Sequence, residues 1–188
     1  EDGGLILSIS GSGSGADIQV SDMSYSITAS ISLLDSDADG IIDRLYAVDT
    51  GGQVWRVDLA TLETATADPE STTRVGKLAE IGDDSSNATK RRFFDAPSIV
   101  QVTDTAFSNE SDYDYILVGS GYRAHPLDTE VEDRFYAFRD FFIGANEMAD
   151  DDGDNISESI DGYPQISGVA YSDSDLIDVT FTILDSSD

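Results

Sequence analysis

Residues 35–59 read DSDADGIIDRLYAVDTGGQVWRVDL, in which an acidic loop runs directly into two short alternating segments. Segments 44–49 and 53–58 are rich in β-branched and aromatic residues, and the Gly-rich turn 50–52 separates them. This pattern predicts a β-hairpin, because successive strand residues point to opposite faces and glycines permit a tight reversal. Trp55 is predicted to lie in the core rather than to bind a ligand.

The nine residues before the hairpin, 35–43, have the spacing of a calcium loop. Aspartates occupy loop positions 1, 3, 5 and 9; they are Asp35, Asp37, Asp39 and Asp43. Gly40 at position 6 permits a sharp turn, and the carbonyl of Ile41 at position 7 is the expected backbone ligand. Position 12 is Tyr46 rather than the glutamate of an EF-hand, so a shorter loop between strands is predicted.

The donor set of this loop consists of oxygen atoms, without a neighbouring histidine or cysteine. Such donors favour Ca²⁺ over zinc or copper. The alternative is a solvated acidic turn, because aspartate and glycine are common in turns of any kind. Four carboxylates at ligand spacing, together with the glycine, favour calcium.

The composition is strongly acidic: 188 residues contain 38 acidic and 10 basic side chains, for a net charge of −28. Such a surface repels nucleic acid and anionic lipid, so we expect no nucleic-acid partner. No run of about 18 apolar residues is present, and no insertion into a membrane is expected. The negative charge suits divalent cations or a cationic partner. The lack of cysteine leaves the redox compartment open.

Strand-like segments recur along nearly the whole chain and predict an all-β fold. They cover residues 5–10, 17–20, 25–34, 44–49, 53–58, 99–102, 115–119, 135–139 and 179–184. Residues 60–71, 81–90 and 146–161 are predicted to be loops, the last of them very acidic. No basic and apolar leader opens the chain, which predicts a mature product or an internal part of a longer protein.

A faint internal repeat links RLYAVD at residues 44–49 to RFYAFR at residues 134–139. Each is expected to be an inner strand of a propeller blade, and a four-stranded blade takes about 40–50 residues. Residues 1–188 are therefore predicted to form part of one modified β-propeller domain. A β-sandwich is the alternative, because periodicity does not reveal how the strands are wound.

A second acidic stretch, DDDGDNISE at residues 150–158, can be aligned to the same ligand spacing. Its candidate ligands are Asp150, Asp152, Asp154, the carbonyl of Ile156, and Glu158. The misplaced Gly153 and the lack of a clear following strand favour a solvated loop here instead.

The remaining candidate groups indicate binding rather than catalysis. His125 is the single histidine, and the chain has neither a cysteine partner nor a nucleophile motif, so His125 is predicted to pack within a loop. Four arginines are expected to neutralise nearby carboxylates, and the first two are also candidates for an interface; they are Arg91, Arg92, Arg123 and Arg134.

Residues 35–59 resemble the signature segment of the PilY family of type IV pilus-tip and biogenesis proteins. In that family a calcium loop leads into a Tyr-Ala-x-Asp…Gly-x-x-Trp-Arg-x-Asp hairpin, which residues 46–58 match. Three later stretches resemble the family in the same order: RRFFDAPS at 91–98, GSGYRAHPL at 119–127 and DRFYAFRD at 133–140. The resemblance spans roughly residues 20–184.

The resemblance implies a modified β-propeller that binds calcium through the side chains of Asp35, Asp37, Asp39 and Asp43. It implies support of pilus biogenesis, calcium-dependent control of extension and retraction, and surface adhesion, without enzymatic activity. The implied partners are minor and major pilins at the pilus tip and a host or abiotic surface. The implied location is extracellular, at the pilus tip or cell surface, after export through the periplasm.

Two other functions stay open on the sequence. A quinoprotein-like dehydrogenase also combines a propeller, a calcium ion and Gly-x-x-Trp motifs. Such an enzyme would carry repeated motifs of that kind, whereas this sequence contains only one that is convincing. A generic calcium-stabilised surface propeller would carry several equivalent Asp-x-Asp-x-Asp-Gly loops, whereas this sequence contains only one that is well formed.

Overall fold

The computed structural model describes residues 4–59, 69–102, 113–140, 148–149, 159–160 and 171–176. Within these ranges the fold is all-β, as predicted, and helix is confined to α1 (Pro69–Thr72) and two 3-10 turns, Asn87–Thr89 and Asp173–Asp175. None of the helical turns in this part of the chain is long or apolar enough to cross a bilayer. The predicted strand 179–184 and most of the acidic loop 146–161 lie outside the described residues.

Two antiparallel meanders account for most of the described strands. Sheet I contains, in order, β3 (Ser32–Leu34), β4 (Arg44–Val48), β5 (Gln53–Asp58) and β6 (Arg74–Glu80). Sheet II contains β7 (Ser98–Val102), β8 (Tyr113–Gly119) and β9 (Phe135–Asp140). Two short ribbons complete the set: the parallel pair β1 (Ile9–Gly11) and β2 (Ile18–Val20), and the antiparallel pair β10 (Met148–Ala149) and β11 (Ser159–Ile160).

The predicted hairpin is confirmed as β4 and β5, in which Arg44 pairs with Asp58 and Val48 with Val54. The carboxylate of Asp49, which is fully buried, holds the turn together. It accepts hydrogen bonds from the backbone N–H of Gly51 (2.9 Å) and Gln53 (3.1 Å) and from the indole N–H of Trp55 (2.9 Å). One side chain therefore satisfies three donors and fixes the indole ring in the core.

Both faces of the hairpin are buried, and the described residues accordingly form a hydrophobic core on each face. One core lies between the sheets and joins Tyr46, Val48 and Val54 of sheet I to Ile116, Val118, Tyr136 and Phe138 of sheet II. The other joins Ala47, Trp55 and Val57 to Ile18 and Val20 of the parallel ribbon. The prediction that Trp55 is a core residue is confirmed, since its exposed fraction is 1%.

Strand β6 was not predicted, and its irregular pattern explains why. Val54 pairs with Ala79 whereas Trp55 pairs with Lys77, so Leu78 forms a bulge in β6. A bulge interrupts the two-residue alternation by which a strand is recognised in a sequence. The predicted strand 25–34 is also wrong in its extent, because only Ser32–Leu34 pairs in a ladder.

The two halves of the internal repeat lie on β4 and β9, and they place Tyr46 and Tyr136 in the same core. Sheets I and II therefore pack face to face through equivalent strand faces. Neighbouring blades of a propeller pack in this manner, but the closed ring of blades stays a prediction.

Candidate metal centre

The predicted calcium loop connects β3 to β4, and sheet I anchors its C-terminal end. The backbone N–H of Asp43 donates to the carbonyl of Leu34 (2.9 Å), and the N–H of Leu59 donates to the carbonyl of Asp43 (2.7 Å). The end of the loop is therefore fixed to the strands on both sides of β4. The loop itself is a compact turn on the surface.

Three of the four predicted carboxylates converge. One oxygen each from Asp35, Asp37 and Asp39 lies within 4.8 Å of the others; Asp35 is half-buried and the other two are exposed. Oxygens that bind one Ca²⁺ at about 2.3–2.6 Å can be at most about 5 Å apart. The observed spacing fits a common calcium ion.

Hydrogen bonds within the loop orient these carboxylates. Asp35 accepts from the N–H of Asp39 (3.2 Å) and of Gly40 (2.9 Å), and Asp39 accepts from the N–H of Ile41 (2.7 Å). Such bonds hold the backbone as a turn whose side chains point inward. The φ angles of Ala38 (64°) and Gly40 (93°) lie in the left-handed region, and Gly40 supplies the turn predicted for position 6.

Asp43 lies outside the group of three. Its Oδ2 accepts hydrogen bonds from the backbone N–H and the hydroxyl of Ser36, both at 2.5 Å. These bonds close the loop from its second residue to its last. The metal-ligand roles of all five residues, Asp43 and the Ile41 carbonyl included, stay predictions.

The second acidic stretch with ligand spacing, residues 150–158, lies outside the described residues. A further acidic segment, residues 173–175, forms a hydrogen-bonded turn: Asp173 pairs with Arg134 (3.0 Å), and Asp175 accepts a hydrogen bond from the N–H of Ser172 (2.8 Å).

The arginine predictions are confirmed in part. Arg123 pairs with Asp95, and Arg134 with Asp173. The buried Arg91 instead donates to the hydroxyl of Tyr136 (3.0 Å) and to the carbonyl of Ala88 (2.9 Å). The guanidinium carbon of Arg92 lies 4.3 Å from the ring centre of Tyr122, so Arg92 makes a cation–π contact.

His125 lies in a turn, as predicted. Its backbone N–H donates to the carbonyl of Tyr122 (2.9 Å), and its ring meets that of Tyr122 edge-on at 6.1 Å. The imidazole is exposed. His125 is therefore an exposed loop residue whose ring contacts one tyrosine.

Sequence reasoning missed a buried polar cluster between the two sheets. Its members lie on β4, β5, β8 and β9; they are Arg44, Tyr46, Arg56, Asp58, Asp114 and Asp140. We call this set the inter-sheet cluster. Arg44, Arg56 and Asp58 share the strand face of Val48 and Val54, and this placement of charge on a core face was the available signal.

Two arginines connect the carboxylates of the inter-sheet cluster. Arg44 donates to Asp58 (3.0 Å) and to Asp114 (2.6 Å), and Arg56 donates to Asp58 (2.7 Å) and Asp140 (2.9 Å). The hydroxyl of Tyr46 donates to Asp140 (2.8 Å) and Asp114 (3.1 Å). Side chains of sheet I thus form ion pairs and hydrogen bonds with two carboxylates of sheet II.

Burial sets the electrostatics of this cluster. It raises the pKa of Asp114, against the opposing effect of Arg44. Burial also raises the pKa of Tyr46, and the nearby Asp140 carboxylate adds to that shift. Oδ1 of Asp114 is buried without a hydrogen-bond partner among the described residues, which is consistent with a raised carboxyl pKa.

No protein-family model matches the chain, and no curated protein matches it. Among solved structures, the chain is similar to the crystal structure of the Pseudomonas aeruginosa PilY1 C-terminal domain, with 25% sequence identity and a TM-score of 0.45. The match covers 60% of this chain and 25% of that one. This chain therefore matches about a quarter of the length of that domain.

Proposed function

We propose that this chain is a calcium-binding, non-catalytic part of a type IV pilus-tip protein. In that role it supports pilus biogenesis, the control of retraction, and adhesion to a surface. The convergence of Asp35, Asp37 and Asp39 within 4.8 Å on a tight turn is the observation that carries the calcium assignment. The resemblance of residues 35–59 to the PilY signature segment supports the assignment to a pilus.

The chemistry of the loop suits a hard divalent cation. Three carboxylates at this separation repel one another, and a bound Ca²⁺ would neutralise that repulsion. Asp35, Asp37 and Asp39 would hold the ion, with the Ile41 carbonyl and the remaining oxygen of Asp43 as additional donors. Since the loop enters β4 directly, a closed loop would fix the start of the central hairpin.

The net charge of the chain and the exposure of the loop also support this proposal. A net charge of −28 attracts divalent cations, and exposed loops of this kind suit the high calcium concentrations found outside cells. We therefore propose an extracellular location at the pilus tip or cell surface, reached through the periplasm. Pilins at the tip and a host or abiotic surface would be the partners.

A calcium titration by calorimetry tests the site, with the substitution Asp39→Ala. We expect one saturable site in the parent chain and at least about a tenfold loss of affinity in the variant, because one charged ligand is removed. Calcium should raise the melting temperature of the parent, since a ligand that binds only the folded state stabilises by about 2.7 kcal/mol at a hundredfold excess over Kd. That shift should largely vanish in the variant.

Asp83→Ala is the matched control. Like Asp39, Asp83 is exposed and accepts a hydrogen bond from the N–H two residues later, here that of Ser85 at 2.7 Å. Asp83 has no place in the group of converging carboxylates. Equal calcium affinities for the parent and both variants would reject the loop as the metal centre.

A further inference from the structure

The inter-sheet cluster joins one row of residues in sheet I to one row in sheet II. In sheet I, Leu34, Arg44 and Asp58 are register partners across β3, β4 and β5. In sheet II, the corresponding row is Gln101, Asp114 and Asp140 across β7, β8 and β9. Arg44 connects these rows through its 2.6 Å ion pair with Asp114.

The calcium loop touches the same row of sheet II directly. The side-chain amide of Gln101 donates to the carbonyl of Ser36, the second loop residue, at 3.2 Å. Gln101 and Asp114 are register partners on neighbouring strands. The loop therefore reaches one row of sheet II twice, at its start through Ser36 and immediately after its end through Arg44.

The two contacts are mechanically linked through Asp43. The side chain of Asp43 binds Ser36, its backbone is fixed to Leu34 and Leu59, and Arg44 is the next residue. Because consecutive Cα atoms are about 3.8 Å apart, any displacement of Asp43 moves the start of Arg44. A loop that opens under the repulsion of its carboxylates would disturb both contacts.

Asp114 is the sensitive end of this linkage. One oxygen receives Arg44 and the hydroxyl of Tyr46, whereas the other is buried without a partner in the described part of the chain. The free energy of a buried carboxylate that accepts both of its hydrogen bonds at one oxygen depends strongly on the positions of the two donors. Small shifts of Arg44 therefore change the energy of the whole contact between the sheets.

We infer that the calcium loop and the inter-sheet cluster form one coupled unit, in which calcium binding tightens the contact between sheets I and II. The inference rests on the calcium site proposed above and adds a mechanism of regulation to it. By thermodynamic reciprocity, the cluster must then also set the calcium affinity of the loop. Residues that do not touch the ion, Asp114 and Gln101, become positioning residues for it.

The substitution Asp114→Asn tests this coupling. This substitution keeps the shape of the side chain and removes the carboxylate charge that pairs with Arg44, the residue that follows the loop. We expect calcium affinity, measured by calorimetry at fixed pH and salt, to fall by about fivefold or more. Gln101 is exposed, so Gln101→Ala removes the hydrogen bond to the Ser36 carbonyl with little risk to folding and should lower calcium affinity by about twofold.

Val20→Ala is the matched control for these variants. Val20 lies on β2 and is buried in the other core, between the hairpin and the parallel ribbon, rather than in the contact between sheets I and II. Its truncation destabilises the fold by loss of packing and should leave calcium affinity unchanged. An equal loss of affinity in Val20→Ala and Asp114→Asn would reduce the effect to general destabilisation and overturn the inference.

Hydrogen exchange on the unaltered chain gives a second readout that does not depend on a variant folding. We expect calcium to slow exchange of amide protons in β4 and β8 by about fivefold or more, with little change in the ribbon of β1 and β2. A parent chain that binds no calcium would refute both the proposed function and the coupling. Calcium binding with unchanged affinities in Asp114→Asn and Gln101→Ala, and equal exchange in β8 and the ribbon, would refute the coupling alone.

Discussion

Individual residues of the proposed calcium loop carry a conformational requirement that is separate from their chemistry. Gly40 has a φ of 93°, and a Cβ added there would meet no atom within 4 Å. The requirement at Gly40 is therefore backbone strain rather than steric contact. Ala38, at a φ of 64°, already bears such strain, because an L-residue in the left-handed region costs about 1–2 kcal/mol.

Gly40→Ala should accordingly destabilise the folded chain by about 1 kcal/mol and weaken calcium binding, since the loop relaxes away from its ligand geometry. Urea denaturation with and without calcium measures both effects. Gly121→Ala is the control, because Gly121 also has open space around its Cβ position but no positive φ. If the two variants were equally stable, strain at Gly40 would be disproved.

The β4–β5 hairpin depends on a close backbone approach as well as on its own turn. The turn lies against residues 81–82 after β6, where the N–H of Ile81 donates to the carbonyl of Gly52 (2.9 Å). A Cβ at Gly82 would lie 1.9 Å from the carbonyl oxygen of Gly51. Glycine at this position therefore lets β6 reach the hairpin and complete sheet I.

Gly82→Ala should destabilise the fold by about 1–3 kcal/mol, because backbone atoms must move apart to admit the methyl group. Thermal unfolding followed by circular dichroism measures the change. Gly119→Ala on β8 serves for comparison, since a Cβ there would meet Phe135 at an ordinary 3.8 Å. A melting temperature of Gly82→Ala at or above that of Gly119→Ala would contradict the close-approach argument.

For the chain as a whole, buried carboxyls and the net charge make the folded state more stable at mildly acidic pH than at neutral pH. Burial raises the pKa values of Asp49 and Asp114 above 3.8, so the folded chain binds protons there more readily than the unfolded chain. This contribution is complete below the unfolded pKa and is lost as pH rises through the folded one. Arg44, Tyr46 and Asp140 face Asp114, and Trp55 and Lys77 act on Asp49.

The opposite tendency comes from exposed carboxyls with hydrogen-bonded serines. These bonds lower the pKa values of Asp17, Asp83 and Asp175, whose contribution is lost as pH falls through their folded pKa values. The net charge of −28 adds self-repulsion at neutral pH, which acid relieves. The chain should therefore be most stable at a mildly acidic pH.

Thermal melts in chelator between about pH 4 and about pH 8 test this expectation. We expect the melting temperature to rise as pH is lowered from the upper end and to fall again near the lower end. Asp49→Asn should lessen the fall in melting temperature with rising pH, because it removes one buried carboxyl whose pKa is raised. A melting temperature that increases steadily up to about pH 8 would contradict the argument.

The loop and the hairpin could be predicted because their determinants are contiguous. The converging aspartates and the left-handed glycine lie within residues 35–43, and Asp49 satisfies donors no more than six residues away. Alternation in residues 44–58 likewise placed Trp55 in a core. Local hydrogen bonds and strand geometry determine such features, and both can be read from neighbouring residues in the sequence.

Features that depend on distant partners could not be predicted in the same way. The bulge at Leu78 hides β6 from any periodic pattern. Arg44 and Asp114 are 70 residues apart, and Ser36 and Gln101 are 65 apart. Alternation shows that Arg44 faces inward, but the packing of sheet II on sheet I brings its carboxylate partner. The inter-sheet cluster, and with it the proposed coupling to the calcium loop, therefore exists only in the packed fold.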